Sequence, residues 1–211
     1  EVRGGLLYGR GAVDMKGAVA AFISAADRQR APHTGTLSLI LTGDEEGPAV
    51  HGTRALITRM AERGIKPAQC LVGEPTSARR LGDTIKIGRR GSVSCRLRVR
   101  GRQGHTAYPQ RADNPVHRLI RVLHGLTAKP LDEGSEGFEP STLQVTGFDV
   151  GNTASNVIPA EARAMLNIRF NDRHTGASLT EMLHAALRAE GARYDLRVSV
   201  SGESFRTPPG P

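Results

Sequence analysis

Four carboxylate residues, Asp14, Glu45, Glu46 and Glu74, follow apolar stretches of the sequence at points where strands would end. Glu45 and Glu46, for example, come after the apolar stretch 36–42. Because the carboxyl ends of parallel strands lie at one edge of a sheet, these side chains would converge there. Clustered carboxylates are unfavourable unless a positive charge neutralises them. The set therefore predicts a metal site with an adjacent general base.

Each part of this acidic set also has a simpler explanation. Asp14 precedes a predicted helix and could serve as its N-cap, and the sequence around 44–46 could be a solvated acidic turn. Taken singly, these explanations are as good as a metal site or better. Three strand ends that each carry a carboxylate favour the metal site over three unrelated loops.

The first 90 residues are predicted to form an α/β domain with a mostly parallel sheet. Apolar residues at helical spacing predict helices over 17–28 and 53–63. Short and nearly continuous apolar runs predict buried strands over 36–42 and 69–72. Strands that alternate with helices are typical of a parallel sheet with helices packed on it. The ends of these strands would position the carboxylates.

A different pattern covers residues 91–200. Apolar and polar residues alternate in strand-like stretches, and Asn114-Pro115 is typical of a helix start. The order of elements is β-α-β-β-α-β, which predicts a ferredoxin-like α+β domain. Residues 201–211 would return to the first domain. Strands are predicted over 92–100, 141–148, 163–170 and 196–200, and helices from 114 and over 177–190.

The composition limits the classes of function. The net charge is +8, but the basic residues are spread along the chain, aromatic residues make up only 4%, and Trp is absent. These features argue against nucleic acid as a partner. No apolar run reaches 18 residues, so no membrane span is expected. Cys70 and Cys95 lie in apolar stretches, which predicts buried free thiols and a reducing, cytoplasmic location.

Six segments occur in order along the chain: GRGAVDMKG, TGDEEG, VGEP, GRRGS, GHTAYP and NVIPAE. Together they resemble the desuccinylases of the dinuclear-zinc peptidase family, which also includes acetylornithine deacetylase, aminoacylases and carboxypeptidases. The resemblance covers essentially the whole chain. It implies a partial zinc-peptidase catalytic domain with an inserted ferredoxin-like lid through which the protein forms a homodimer. It also implies an amide hydrolase that removes succinate from N-succinyl-LL-2,6-diaminopimelate in lysine biosynthesis.

The resemblance implies a role for each acidic residue. Asp14 would bridge two Zn²⁺ ions, for which Co²⁺ can substitute, while Glu46 would bind one ion and Glu74 the other. Glu45 would be the general base that takes a proton from the attacking water and delivers it to the leaving amine. The peptide bond after the bridging aspartate is often cis in this family, so we expect a cis bond between Asp14 and Met15.

Further residues that match the family motifs are implied to contact the substrate. His105, in GHTAYP, would reach into the partner subunit's site and stabilise the oxyanion. Four further residues would contact substrate carboxylates or succinyl oxygens: Arg89, Tyr108, Asn156 and Arg169. Structural salt bridges are an alternative for Arg89 and Arg169, and a lone His after Gly is otherwise usually a surface turn residue. Ser155 stands where some relatives carry Asn, a departure that affects one amide contact.

Two zinc-binding histidines of the family pattern, one in an upstream GHxD segment and one far downstream, have no counterpart here. Carboxylates alone make a poor zinc site because zinc prefers nitrogen or sulfur donors. We therefore expect these 211 residues to be an internal fragment that binds zinc weakly and does not turn over substrate. The alternatives are an acetylornithine deacetylase or aminoacylase sibling and, in a different class, a non-catalytic dimerising fragment without metals.

Overall fold

The structure, a computed structural model, describes residues 1–29, 34–43, 45, 47 and 49–208. The chain divides into two units, Glu1–Ile85 and Lys86–Pro211. The first unit contains the short antiparallel strands β1 (Val2–Arg3) and β2 (Leu6–Leu7) and the helices α1 (Gly17–Arg28) and α2 (Thr53–Glu62). Helix α1 has the predicted bounds, and α2 ends one residue before the predicted end.

The two strands predicted in the first unit, 36–42 and 69–72, are wrong for this structure, which has neither helix nor strand there. Their side chains lie open to solvent, with Leu39 45% and Leu71 73% exposed. An apolar stretch forms a buried strand only where neighbouring strands pair with its backbone and other layers cover its side chains. The described part of this unit provides neither. Cys70, predicted to be buried, is exposed for the same reason.

The second unit contains the long antiparallel strands that the alternating pattern predicts, together with two helices. In chain order its elements are β3 (Gly88–Arg89), β4 (Gly91–Arg100), β5 (Gly104–His105), α3 (Pro115–Thr127), β6 (Thr142–Asp149), β7 (Val157–Ile158), β8 (Glu161–Phe170), α4 (Gly176–Ala189), β9 (Arg193–Gly202) and β10 (Phe205–Arg206). Four strands form one antiparallel sheet in the order β6-β8-β4-β9. With α3 after β4 and α4 after β8, this is the predicted ferredoxin-like arrangement. Strand β3 pairs with β10, and β5 pairs with β7, outside that sheet.

One face of the four-stranded sheet forms the core of the second unit. Helices α3 and α4 contribute buried residues that include Leu119 and Leu183. Gly91 lies against the ring of Phe170, where a side chain would have no room. Burial raises the pKa of the Cys95 thiol to about 11, which keeps this predicted buried thiol protonated and unreactive at neutral pH. Alternate residues of β4 are buried on this face: Val93, Cys95, Leu97 and Val99.

Side chains and a glycine fix the ends of the two helices. The Asn114 side chain accepts a hydrogen bond of 3.0 Å from the Val116 N–H, as expected of a residue that caps a helix. Thr175 and Ser178 form a reciprocal capping box at the start of α4. After α4, Gly191 has a φ of 59°, a left-handed conformation that suits glycine and ends the helix. The ends of the two helices that pack on the sheet are therefore specified by nearby residues.

The opposite face of the sheet is open and rich in arginine. Its acidic residues Glu161 and Asp195 form ion pairs with three arginines: Arg98, Arg100 and Arg163. Arg96 and Arg197 are both exposed and lie directly opposite each other on β4 and β9. Neither forms an ion pair within the part of the chain that the structure describes. Like charges in this arrangement destabilise a sheet.

Replacing Arg197 by glutamate is expected to increase the free energy of unfolding by roughly 0.2–1 kcal/mol at low salt. The new carboxylate would attract Arg96 where the arginine repels it. Thermal unfolding in 20 mM and in 1 M NaCl measures the effect, since salt screens exposed charges. Arg197→Gln, which only removes the repulsion, is the matched control and should give a smaller increase. Equal stability of the two variants at low salt would contradict this account.

Candidate active site

Asp14 lies in a turn that leads into α1. The turn, Ala12–Lys16, has non-helical backbone angles at Asp14 and Met15. The peptide bond between these two residues is cis, which confirms the prediction made from the sequence. Gly11 precedes it with a φ of 73°. The Lys16 ammonium donates a hydrogen bond of 3.0 Å to the carbonyl of Arg10 and so closes the turn. The Asp14 residue itself is exposed.

Glu74 is brought towards this turn by the glycine that precedes it. A Cβ atom built on Gly73 would lie 2.5 Å from the Phe22 ring and 2.9 Å from the Met15 methyl group. Only glycine can approach α1 so closely. The backbone on either side of this contact carries Asp14 and Glu74, so the structure places two of the predicted metal ligands on neighbouring segments.

The other two members of the acidic set are not gathered with them. Glu45 lies exposed in a turn, and Glu46 falls outside the described residues. Within the described part of the chain, no group of three or more His, Cys, Asp or Glu side chains is arranged to hold a metal ion. The described donors of the predicted site, Asp14 and Glu74, are both carboxylates, which do not match the nitrogen-rich shell that zinc prefers. The residues present therefore do not by themselves make a zinc centre.

The lid motifs GHTAYP and SNVIP come together in the second unit. Strands β5 and β7 pair so that His105 lies opposite Val157. The Thr106 N–H donates a hydrogen bond of 3.0 Å to the carbonyl of Asn156. Tyr108 follows in the turn after β5, and its ring centroid lies 5.9 Å from that of His105. Three of the predicted contact residues, His105, Tyr108 and Asn156, thus share one corner of the lid.

The ring of His105 is held in one orientation. The Ala107 N–H donates a hydrogen bond of 3.0 Å to its Nδ1 atom. Since Nδ1 accepts, a neutral ring carries its proton on Nε2. The ring is exposed, so this N–H can donate to another molecule. His105 therefore presents a single oriented hydrogen-bond donor to solvent.

Arg89 and Arg169 lie at the other end of the sheet. Arg89, in β3, pairs with Phe205, and Arg169, in β8, lies opposite Ser92 near the start of β4. Both arginines are exposed, and neither has an ion pair with any residue that the structure describes, so the salt-bridge alternative is not seen there. His105 comes after the end of β4, a strand of 10 residues. A strand of that length spans about 30 Å, so these arginines and His105 are far apart in one chain.

Asp132 is a polar centre that sequence reasoning missed. Its carboxylate accepts hydrogen bonds of 2.7 Å from the Gly134 N–H, 3.2 Å from the Ser141 N–H and 2.7 Å from the Asn171 side chain. His174 Nε2 lies 3.0 Å from its second oxygen, and the Asp132 side chain is only 7% exposed. Burial alone would raise the pKa of Asp132, but the hydrogen bonds outweigh it and hold the pKa well below its usual value.

The described residues contain no helix that combines the length and apolar character needed to cross a membrane.

Comparison with known proteins assigns the second unit to a protein family. The model of a family described as "Peptidase dimerisation domain" matches residues 87–195, which is more than half of the chain. The chain belongs to this family. The ferredoxin-like unit is thus the peptidase dimerisation domain, and the lid predicted from the sequence is confirmed. Its corner with His105 and three of the four strands of its sheet lie within the matched residues, which end inside β9.

Three curated relatives match the chain over its whole length. Succinyl-diaminopimelate desuccinylase of Acidiphilium cryptum (strain JF-5) is 59% identical over 212 residues, which are 100% of this chain and 57% of that protein. The enzymes of the same name from Rhizorhabdus wittichii and Parvibaculum lavamentivorans are 58% and 54% identical, and the matches cover 55% and 54% of their lengths. The chain spans little more than half the length of the curated relatives it matches.

Proposed function

We propose that this chain carries part of the active site of a metal-dependent amide hydrolase that removes succinate from N-succinyl-LL-2,6-diaminopimelate, in lysine and diaminopimelate biosynthesis in the cytoplasm. The observation that carries the proposal is the identity of 59% over the whole chain to a relative of that name. In this proposal residues 1–90 belong to a catalytic domain, 91–200 form the lid, and 201–211 return to the catalytic domain. The oriented donor on His105 supports a hydrolytic role for the lid.

We propose that Asp14, Glu46 and Glu74 would help to hold two zinc ions through their carboxylates. Because carboxylates alone fit zinc poorly, the imidazole ligands must come from histidines other than those of the described residues. The bound metal would lower the pKa of the attacking water and polarise the amide carbonyl. Co²⁺ can substitute for Zn²⁺ in this proposal, since both ions accept mixed oxygen and nitrogen donors.

The residues of this chain would carry the proton and the developing charge. The Glu45 carboxylate takes a proton from the attacking water as the C–O bond forms and gives it to the amine nitrogen as the C–N bond breaks. The Nε2–H of His105 donates a hydrogen bond to the carbonyl oxygen as it becomes negative. Water and the amide are thereby converted into succinate and a free amine, and no redox change occurs.

A homodimer explains how residues at both ends of the sheet serve one substrate. Arg89 and Arg169 suit bidentate binding of carboxylates, and Tyr108 and Asn156 suit hydrogen bonds to succinyl oxygens. Within one chain the arginines and His105 lie near opposite ends of β4, which spans about 30 Å, and this span exceeds the substrate's length. We therefore propose that His105, Tyr108 and Asn156 of one lid complete the partner's site. The membership in a dimerisation domain family supports this arrangement.

Substrate competition tests the proposed function. The full-length gene product loaded with zinc is expected to release succinate from N-succinyl-LL-2,6-diaminopimelate with a kcat/KM at least about 100-fold above that for acetate release from N-acetylornithine. The 211 residues alone serve as the comparison and are expected to be inactive. Zinc binding is measured in parallel by titration. A preference for N-acetylornithine, or no hydrolysis by the zinc-loaded protein, would refute the proposal.

A further inference from the structure

We propose that Arg111 is a specificity-determining residue that binds a substrate carboxylate next to the donor of His105. This inference deepens the proposed function and rests on it. The Arg111 guanidinium carbon lies 5.4 Å from the centroid of the Tyr108 ring. The residue is exposed, and its side chain forms neither a hydrogen bond nor an ion pair within the described part of the chain.

The backbone around Arg111 is tightly organised. Residues Pro109–Arg111 form a 3-10 turn, in which the Arg111 N–H donates a hydrogen bond of 3.0 Å to the Tyr108 carbonyl. The loop is closed by paired hydrogen bonds of 2.9 Å between the backbones of Arg102 and Asp113. Arg111 and Tyr108 are therefore positioned by the turn rather than by a flexible loop.

The guanidinium over the Tyr108 ring suits a planar anion. Stacking on an aromatic ring restricts the arginine side chain but leaves the N–H groups at its edge free to donate. Two parallel N–H groups match the two oxygens of a carboxylate. Because less side-chain entropy is lost on binding, a preorganised arginine binds more tightly than a mobile one.

No nearby carboxylate of the lid competes for this arginine. Asp113, two residues along the chain, has one oxygen 2.7 Å from Arg118 and the other 3.6 Å from Arg193. Arg111 thus differs from the arginines of the open sheet face that are paired with acids. An unpaired, oriented cation beside a hydrogen-bond donor indicates an anionic ligand.

The distances to the Tyr108 ring limit how far Arg111 lies from His105. The ring of His105 lies 5.9 Å from that of Tyr108, and Arg111 stacks 5.4 Å from the same ring, so the guanidinium lies at most about 11 Å from the imidazole. In an extended N-succinyl-diaminopimelate, the distal carboxylate lies roughly 9 Å from the scissile carbon, whereas the succinyl carboxylate lies only about 4 Å from it. Both carboxylates lie within that limit, and we assign Arg111 to the distal one, on the amine half of the substrate.

Two substrates that differ only in that carboxylate test the assignment. N-succinyl-LL-2,6-diaminopimelate carries it, and Nα-succinyl-L-lysine lacks it. In the full-length, zinc-loaded protein, Arg111→Leu is expected to lower kcat/KM for the first substrate about 10–100-fold, mainly through KM, and to change that for the second by less than about twofold. Arg111→Lys should recover only part of the loss, because an ammonium cannot bind two oxygens in parallel.

Arg102→Leu is the matched control, since Arg102 is also exposed but does not stack on Tyr108. For both substrates, the kcat/KM of this variant should stay within about twofold of the wild-type value. Arg111 is not a specificity residue if Arg111→Leu affects both substrates equally or neither, while the wild-type protein still hydrolyses the diaminopimelate substrate. Absence of wild-type hydrolysis would instead refute the proposed function and this inference with it.

Discussion

Replacement of His105 by alanine in the full-length protein is expected to lower kcat for desuccinylation about 100- to 1,000-fold with a much smaller change in KM. The Ala107 N–H occupies Nδ1 of His105 and leaves Nε2–H as an oriented donor. A donor that interacts most strongly with the oxyanion stabilises the transition state more than the bound substrate. Steady-state kinetics with and without the substitution provide the measurement.

The control for this prediction is His117→Ala, because His117 is an exposed histidine on α3 that lies outside the motif of His105. That variant should retain kcat within about twofold. A rise in KM without a fall in kcat for His105→Ala, or a similar loss of kcat in both variants, would exclude the oxyanion role.

Mixing two inactive variants tests whether His105 acts on the partner's site. When His105→Ala and Glu45→Gln subunits assemble at random, about half of the dimers are mixed. Each mixed dimer then has one site with both defects and one intact site, so about a quarter of wild-type activity should return. Coexpression followed by a kinetic assay measures this recovery. If His105 served the site of its own subunit, the mixture would remain inactive.

Replacement of Asp132 by alanine is expected to reduce the free energy of unfolding of the lid by about 3–5 kcal/mol. Three N–H donors, from Gly134, Ser141 and Asn171, would lose their shared acceptor, and His174 would lose its neighbour. Buried donors without acceptors are costly. Urea unfolding monitored by circular dichroism measures the change.

Two variants calibrate the prediction for Asp132. Glu133→Ala removes an adjacent, exposed carboxylate and should change stability by less than about 0.5 kcal/mol. Asp132→Asn keeps one oxygen acceptor but removes the charge, so its stability should fall between those of the wild type and Asp132→Ala. If Asp132→Ala lowers the free energy of unfolding no more than Glu133→Ala does, the hydrogen bonds do not stabilise the lid.

The pH dependence of stability provides a second measurement of the Asp132 interactions. Hydrogen bonds hold the folded-state pKa of Asp132 below the value of about 3.9 expected in the unfolded chain. The carboxylate therefore stabilises the fold fully above that unfolded value, and this contribution is lost as the pH falls below it. Wild-type stability should decrease more steeply below about pH 4 than that of Asp132→Asn. Parallel slopes would contradict this linkage.

The fold of the lid was predictable because its signals are local. Alternating residues of β4, the Asn114 cap and Gly191 each specify an element through nearby sequence. The structure of residues 36–42 and 69–72 was not predictable in this way. Strand pairing depends on neighbouring segments, and an apolar run does not identify them. Sequence composition alone cannot supply those neighbours.

The candidate site was predictable where motifs are continuous and hidden where contacts are distant. His105 and Tyr108 share one motif, so their proximity followed from the sequence. Asp132 accepts hydrogen bonds from a glycine in its own loop and from Asn171, which is 39 residues away, and no spacing rule links them. The stacking of Arg111 on Tyr108 depends on the geometry of a short turn, which the residue types do not determine.

Because of the length of β4, the specific activity of the proposed enzyme should depend on the protein concentration. In this proposal a monomer holds Arg169, proposed to bind a carboxylate, and His105, the proposed oxyanion donor, near opposite ends of a strand of 10 residues, and it would contain no complete site. Dilution that separates the subunits would then lower the specific activity, whereas a substrate that bridges two lids would promote reassembly. Subunit association would set a concentration threshold below which the reaction stops.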